Sequence, residues 1–406
     1  MAAAQGPYGD PLADDTAIAA TLQWFAAQLE QPTRLVILGD LLDFVLAPPH
    51  ARRGAPADDL AAAKLEAMAA AHPRVFAALA AFAAAGHSLE IVPGNHDIEL
   101  LRPPIQAHLR GLLGGAPLAF HPWIMYVPGV LYAEHGHQHQ LANHFVRLLD
   151  RCTSADDGLP PAPARSLDDL RALLADRLGL PAQNLAALGA ATGRALLARE
   201  PGAAGAATEA AVGLFRLARS FAALAQADGG ERLTASLHQA TSELELPAEA
   251  LVEIARGCRP TVRSAARSLR RASRAHRRAP RSHGIAPRTG PDHFMLEAAR
   301  MVDGVLREHG VGVAFYAFGH THIASDIPLG QREPTSGSGG GAGGGPRYVN
   351  AGTWSTLLRP GRNSAADRLR LIEIAHEHPG PPTARWWRWD ADARRPALLD
   401  GRSLPQ

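Results

Sequence analysis

The sequence predicts an α/β (α+β) chain in which one domain is split by a long helical insertion. Three observations lead there. Short, continuous apolar runs, "RLVILGD" and "SLEIVPGNHD", alternate with stretches of helical period, as in a buried, largely parallel sheet covered by helices. The strand pattern vanishes from about 140 to 309. It returns in "GVAFYAFGHTHIA", "RYVNAGTW", "RLRLIEIAH" and "ARWWRW".

The elements follow in order. Asp14 or Asp15 is set to cap a first helix, with Ile18, Leu22, Phe25 and Leu29 at helical spacing and Pro32 as its stop. "RLVILGD" is then a strand. Ala-rich helices follow, with Val75, Leu79 and Phe82 on one face and Gly86 as the stop. "WIMYVPGVLYAEHGH" reads as two strands around a Pro-Gly turn. The expected division is 1–140 and 292–406 for the two parts of the α/β domain and 141–291 for the insertion.

Composition narrows the class. The chain has 406 residues, a net charge of +2 and two cysteines, so neither a disulfide framework nor a thiolate metal site organises it. The start carries no basic and apolar leader pattern, and the longest mostly apolar stretch, near Val75 to Ala85, is too short to span a bilayer. These features predict a cytoplasmic protein, with peripheral contact to a membrane surface left open.

The chemistry is expected in four polar clusters, each directly after an apolar strand. They are Gly39-Asp40 with Asp43, Gly94-Asn95-His96-Asp97, His135-Gly136-His137 and Gly319-His320-Thr321-His322. In open α/β sheets ligands bind outside the C-terminal ends of strands, so clusters remote in sequence converge there. Carboxylate, amide oxygen and imidazole, without thiolate, suit Zn, Mn or Fe. Two such ions about 3.5–4 Å apart clamp a phosphoryl group and activate a water. Each cluster alone has a bland reading as a turn or a satisfied histidine; their joint occurrence after strands carries the inference.

"GDLLD", "GNHD", "EHGH" and "GHTH" together resemble the ordered motifs of the calcineurin-like metallophosphoesterase superfamily. The likeness covers roughly 34–136 and 311–357, with "YVNAGTWS" in support. It implies a two-sheet β-sandwich flanked by helices and a metal-activated hydroxide attacking a phosphate ester or pyrophosphate. It also implies roles. Asp40 would bridge two divalent ions; Asn95, His135 and His320 would complete one site, and His322 would serve the other. His96 would assist the leaving group, with Asp97 orienting it, since a carboxylate beside an imidazole fixes its tautomer and raises its pKa. Asp43, His137 and Thr321 would stand behind the ligands or face the substrate. His137 and His139 also read as ordinary surface or capping histidines.

The family's opening motif, Asp-x-His on a preceding strand, is absent before Asp40. Either that strand lies upstream of the given start, or the chain is a variant with one incomplete metal site.

The insertion carries Arg263, Arg267, Arg270, Arg274, Arg277 and Arg281 at steps of three or four. On a helix they form a basic stripe suited to anionic lipid, nucleic acid or a phosphorylated substrate, or simply a solvated face. No aromatics interleave with them, which argues against single-strand stacking. UDP-diacylglucosamine hydrolases, distant relatives in the superfamily, carry a helical insertion over the active site, and Leu214, Leu217, Phe221 and Leu224 would form a comparable apolar stripe or plain core. The leading expectation is a metal-dependent phosphoesterase acting on a lipid- or nucleotide-linked anion. A mononuclear or impaired binding protein and a nuclease are the alternatives.

Overall fold

The computed structural model describes residues 1, 14–49, 57–140, 143–145, 244–258, 292–330, 345–355, 368–377 and 380–399. The arginine stripe, the apolar stripe from Leu214 to Leu224 and most of the expected insertion lie outside them.

Helix α1 (Asp15–Gln28) starts where the sequence sets it: the Asp14 side chain accepts from the Ala17 N–H at 3.0 Å. Strand β1 (Arg34–Leu38) follows, then helices α2 (Ala57–Ala71) and α3 (Pro73–Ala84), and strand β2 (Ser88–Val92). Helix α4 (Pro103–Leu112) leads to the short β3 (Leu118–Phe120). These strands form a parallel sheet ordered β1-β2-β3.

A five-stranded sheet has the order β4-β5-β6-β8-β7. It contains β4 (Ile124–Val127), β5 (Gly129–Glu134), β6 (Val313–Phe318), β7 (Ser325–Pro328) and β8 (Arg347–Asn350). Its central pairs, β5 with β6 and β6 with β8, are parallel; its edges are antiparallel. A third, antiparallel sheet is ordered β11-β10-β9, from β9 (Arg370–Ala375), β10 (Thr383–Asp390) and β11 (Arg395–Leu398). The fold is thus mixed α/β with parallel centres. Strands β3, β7 and β11 are too short to show a period, and the sequence reading did not separate them.

Side chains divide between three cores. Leu89, Ile91 and Leu118 pack outward against α1–α4, together with Leu35 and Ile37 of β1 and Leu371 of β9. Val92, Leu131, Phe315, Val349 and Trp386 form an inner core shared by all three sheets, onto which Val36, Leu38, Ile372 and Ile374 pack. The other face of the five-stranded sheet packs Tyr132, Tyr316 and Phe318 against helices α5 (Ala248–Gly257) and α6 (His293–Glu308). The alternation along β1 and β9 therefore sends the same two faces to the same two cores. Trp386 ties the third sheet to β7 by donating to Asp326 Oδ2 at 3.0 Å.

Among the described residues, β1 pairs only with β2, and β9 pairs only with β10. No single described helix is long and apolar enough to cross a membrane. Helices α5 and α6 are what the described residues retain of the region predicted to be helical.

Candidate metal centre

Strand register brings the four clusters together in pairs. Leu38 of β1 stands opposite Val92 of β2, so the Gly39-Asp40 and Gly94-Asn95 loops leave their sheet side by side. Glu134 of β5 stands opposite Phe318 of β6, so His135 and Gly319 emerge together, and the Gly319 N–H donates to the His135 carbonyl at 3.0 Å. The two sheets then face each other across this end: His135 Nδ1 donates to the Leu38 carbonyl at 2.6 Å.

Four donor atoms converge on one point. His135 Nε2 lies 3.3 Å from Asp40 Oδ2, 3.3 Å from Asn95 Oδ1 and 3.3 Å from His320 Nδ1. The Asp40, His135 and His320 donors all fall within 4.8 Å of one another. Ligands about 2.0–2.2 Å from a tetrahedral ion are themselves about 3.3–3.6 Å apart, so the donor set fits a divalent ion. The bond from His135 Nδ1 to a carbonyl leaves Nε2 with its lone pair free, as a metal ligand requires.

Close approach demands glycine here. A Cβ on Gly94 would lie 2.2 Å from Asp40 Oδ1, and one on Gly39, at φ +76°, would lie 2.4 Å from His135 Nδ1. Asp40, His320 and His322 themselves adopt left-handed backbone, at φ 57°, 65° and 61°. Such strain at non-glycine residues costs on the order of 1–3 kcal/mol each and gathers at functional sites.

Electrostatics divide the two histidines. Burial pushes the His135 imidazole down, but the charge of Asp40 and the Leu38 carbonyl outweigh it and hold its pKa above the ordinary value. Burial and the neighbouring His135 drive His320 well below it. Burial would raise Asp40, yet His135 and His96 keep it well below the carboxylate range.

One expected pairing is corrected. Asp97 does not orient His96. It is fully buried, and its carboxylate accepts from the N–H groups of Gly94 at 2.5 Å and Leu41 at 2.9 Å, so it staples the two ligand loops together. Burial and the nearby charge of Asp40 raise its pKa to about 6. The carboxylate beside His96 is Asp43, whose Oδ1 stands 3.2 Å from His96 Nδ1. That oxygen also accepts from Val45 and Leu46 N–H, so Asp43 holds its own loop as well. The His96 backbone N–H donates to Asp40 Oδ1 at 2.9 Å, and its side chain is 27% exposed.

The remaining expected residues sit as follows. His322 is two residues beyond His320 and outside the set of mutually close donors. Thr321 is tied into a polar network rather than offered outward: its hydroxyl donates to Asp292, and Asn350 Nδ2 donates to Thr321 Oγ1 at 3.1 Å. His137 is 2% exposed, and neither ring nitrogen has a hydrogen-bond partner among the described residues. Burial and the neighbouring histidines hold its pKa well below the ordinary value. His139 is no surface histidine; it is buried against Glu134 at 2.7 Å and Cys258 Sγ at 3.4 Å.

Sequence reasoning missed Gln140, whose Oε1 meets His320 Nε2 at 2.5 Å, and Asn143 beside it. No motif marks either. It also gave no role to Asn350, although "YVNAGTWS" drew notice; Asn350 Nδ2 donates to the Gly319 carbonyl at 3.1 Å and so fixes the His320 loop. Comparison with known proteins found no matching family model, no similar curated protein and no similar solved structure.

Proposed function

We propose that this protein is a metal-dependent hydrolase of phosphate esters or pyrophosphates, of the calcineurin-like metallophosphoesterase type. The observation that carries the reading is the convergence of Asp40 Oδ2, Asn95 Oδ1 and His320 Nδ1 on His135 Nε2, each at 3.3 Å. These four residues would hold one divalent ion, Mn, Fe or Zn by donor type. When bound, the ion supplies charge for phosphoryl oxygens and lowers the pKa of a water. Asp40 would serve both sides of the reaction: Oδ2, beside His135 Nε2, would help hold an ion, and Oδ1 accepts the His96 N–H and so sets the His96 loop beside it. With Nδ1 facing Asp43, His96 presents Nε2 to a leaving oxygen and donates the proton.

The two-ion form of this reading needs further ligands beside Asp40 and His322. Strands β1 and β9 send matching faces to the same cores, and each has an edge that no described residue pairs. This is the arrangement expected of a sheet completed by a strand between them, and it supports a sandwich of the kind the resemblance implies. A second reading has its own support. Among the described residues there is one group of mutually close donors, which favours a mononuclear binding protein.

The test is hydrolysis of an aryl phosphodiester by the Mn²⁺-loaded protein, with metal analysis of the same sample. Turnover abolished by His96→Asn supports the hydrolase. Bound metal without turnover, in this chain and in one lengthened by an Asp-x-His strand, overturns it in favour of the binding protein.

A further inference from the structure

The two proposed histidine ligands present opposite nitrogens. His135 turns Nε2 to the donor cluster and His320 turns Nδ1. For His135 a backbone carbonyl decides the tautomer. For His320 the deciding group is a side chain that no motif contains.

Gln140 Oε1 lies 2.5 Å from His320 Nε2. Asn143 Nδ2 donates to the same Oε1. An amide NH₂ donates only, so the Gln140 atom that receives it is the oxygen. Asn143 Nδ2 also lies 3.1 Å from His320 Nε2, but its hydrogen is given to Oε1 and the oxygen is the much closer partner; an oxygen accepts only, so the proton of the neutral His320 ring is on Nε2. Nδ1 then keeps its lone pair, aimed at His135 Nε2 and the cluster.

The turn that carries Gln140 is rigidly held. The Gln140 N–H donates to the His137 carbonyl at 3.1 Å, closing a short 3₁₀ turn over His137–His139. Its next residue back, His139, is clamped between Glu134 Oε1 and Cys258 Sγ, at 2.7 and 3.4 Å. Glu134 is completely buried and also accepts from Trp123 Nε1 at 2.7 Å. Cys258 caps helix α5, so this clamp fastens the turn to a helix as well as to β5.

We propose that Gln140 is a positioning residue for the metal centre: it locks His320 in the Nε2–H tautomer and so makes Nδ1 a ligand. The inference rests on the metal-site reading of the Asp40–His320 cluster. Outer partners of metal-bound histidines are typically worth about 10–100-fold in metal affinity.

Two measurements test it. Calorimetric titration of the full chain with Mn²⁺ is expected to show Gln140→Leu binding about 10–100-fold more weakly than wild type. Gln140→Glu, which keeps an acceptor oxygen, is expected to bind at least as tightly as wild type. A structural role alone would not give this rescue. Wild-type affinity in Gln140→Leu, or equal weakness in both variants, overturns the proposal. Long-range ¹H–¹⁵N spectra of the metal-free wild type provide the second arm. They are expected to show His320 protonated on Nε2, and a proton on Nδ1 overturns the proposal even if Gln140→Leu does not fold. Absence of Mn²⁺ binding by wild type would instead defeat the metal-site reading itself, with the tautomer still on view.

Discussion

The loops after β5 and β6 bring one histidine each to the same point, and they are built in opposite ways. His135 leaves β5 directly, with its ring held by a backbone carbonyl of the facing sheet. His320 sits on left-handed backbone, and its loop is held by side chains from elsewhere, Asn350 and Gln140. The first depends on the packing of two sheets, the second on a few polar groups. The contrast teaches that a rigid scaffold can deliver one proposed ligand, while its proposed partner has to be steered. Gly39, Gly94 and Asp97 secure the scaffold side; Thr321, Asn350 and Asp292 secure the steered side.

The largest expected effect breaks the scaffold side. Gly39→Ala places a Cβ 2.4 Å from His135 Nδ1 and 2.6 Å from the Gly94 backbone, on a residue at φ +76°. Overpacking of this kind costs typically about 1–3 kcal/mol, and the left-handed backbone adds to it. The variant should lose measurable Mn²⁺ binding by calorimetry and melt well below wild type. Wild-type binding would show that His135 is not the fixed point of the centre.

Breaking the steered side should cost less. Asn350→Ala removes donors to the Gly319 carbonyl, Thr321 Oγ1 and Tyr348 OH, at 3.1, 3.1 and 3.3 Å. Loss of buried pairing is worth about 1–3 kcal/mol. Denaturant melts should report that loss, with metal affinity reduced. An unchanged melting point would mean that the His320 loop is not held this way.

Acidity sharpens the comparison, because the two rings shift in opposite directions. His135 is raised, so in the metal-free protein its stabilisation is full below about pH 6.5 and is lost as pH rises through its folded pKa. His320 is lowered, so its contribution is intact above about pH 6.5 and falls away on acidification toward its folded pKa. His135→Asn should therefore make the metal-free protein lose stability more steeply on acidification, and His320→Asn less steeply. Melting temperatures between about pH 5 and 8 read the slopes. Slopes that change in the same direction would contradict the division.

The smallest effect concerns neither loop's hold but the ring beneath them. His137 is buried with both nitrogens unpartnered among the described residues. Replacing an unsatisfied buried polar group by an apolar one of similar shape is neutral or stabilising, so His137→Phe should raise the metal-free melting point slightly, by about 1 kcal/mol or less in free energy. A clear fall would assign His137 a polar partner.

Much of this centre was legible in the sequence, because apolar strands that end in polar clusters announce where a parallel sheet gathers its loops. Asp40, Asn95, His135 and His320 were read that way, and Asp14 as the cap of α1. The reading went astray where sequence adjacency stood in for contact. Asp97 follows His96 in the chain, yet a turn sends the two side chains apart, and Asp43, distant by 53 positions, takes the place beside the ring. Gln140, Asn143 and Asn350 carried no signal because amides at turns are commonplace, and only the folded chain shows which of them faces an imidazole.

The left-handed backbone at Asp40, His320 and His322 has a consequence for variation. At ordinary positions a random library drifts toward bulky or β-branched residues without penalty. At these three, survivors selected for folding alone should collapse onto glycine, asparagine, aspartate and histidine, the residues that tolerate such dihedrals. The backbone thus confines these positions to a few residue types, among which aspartate and histidine also carry metal-ligating atoms.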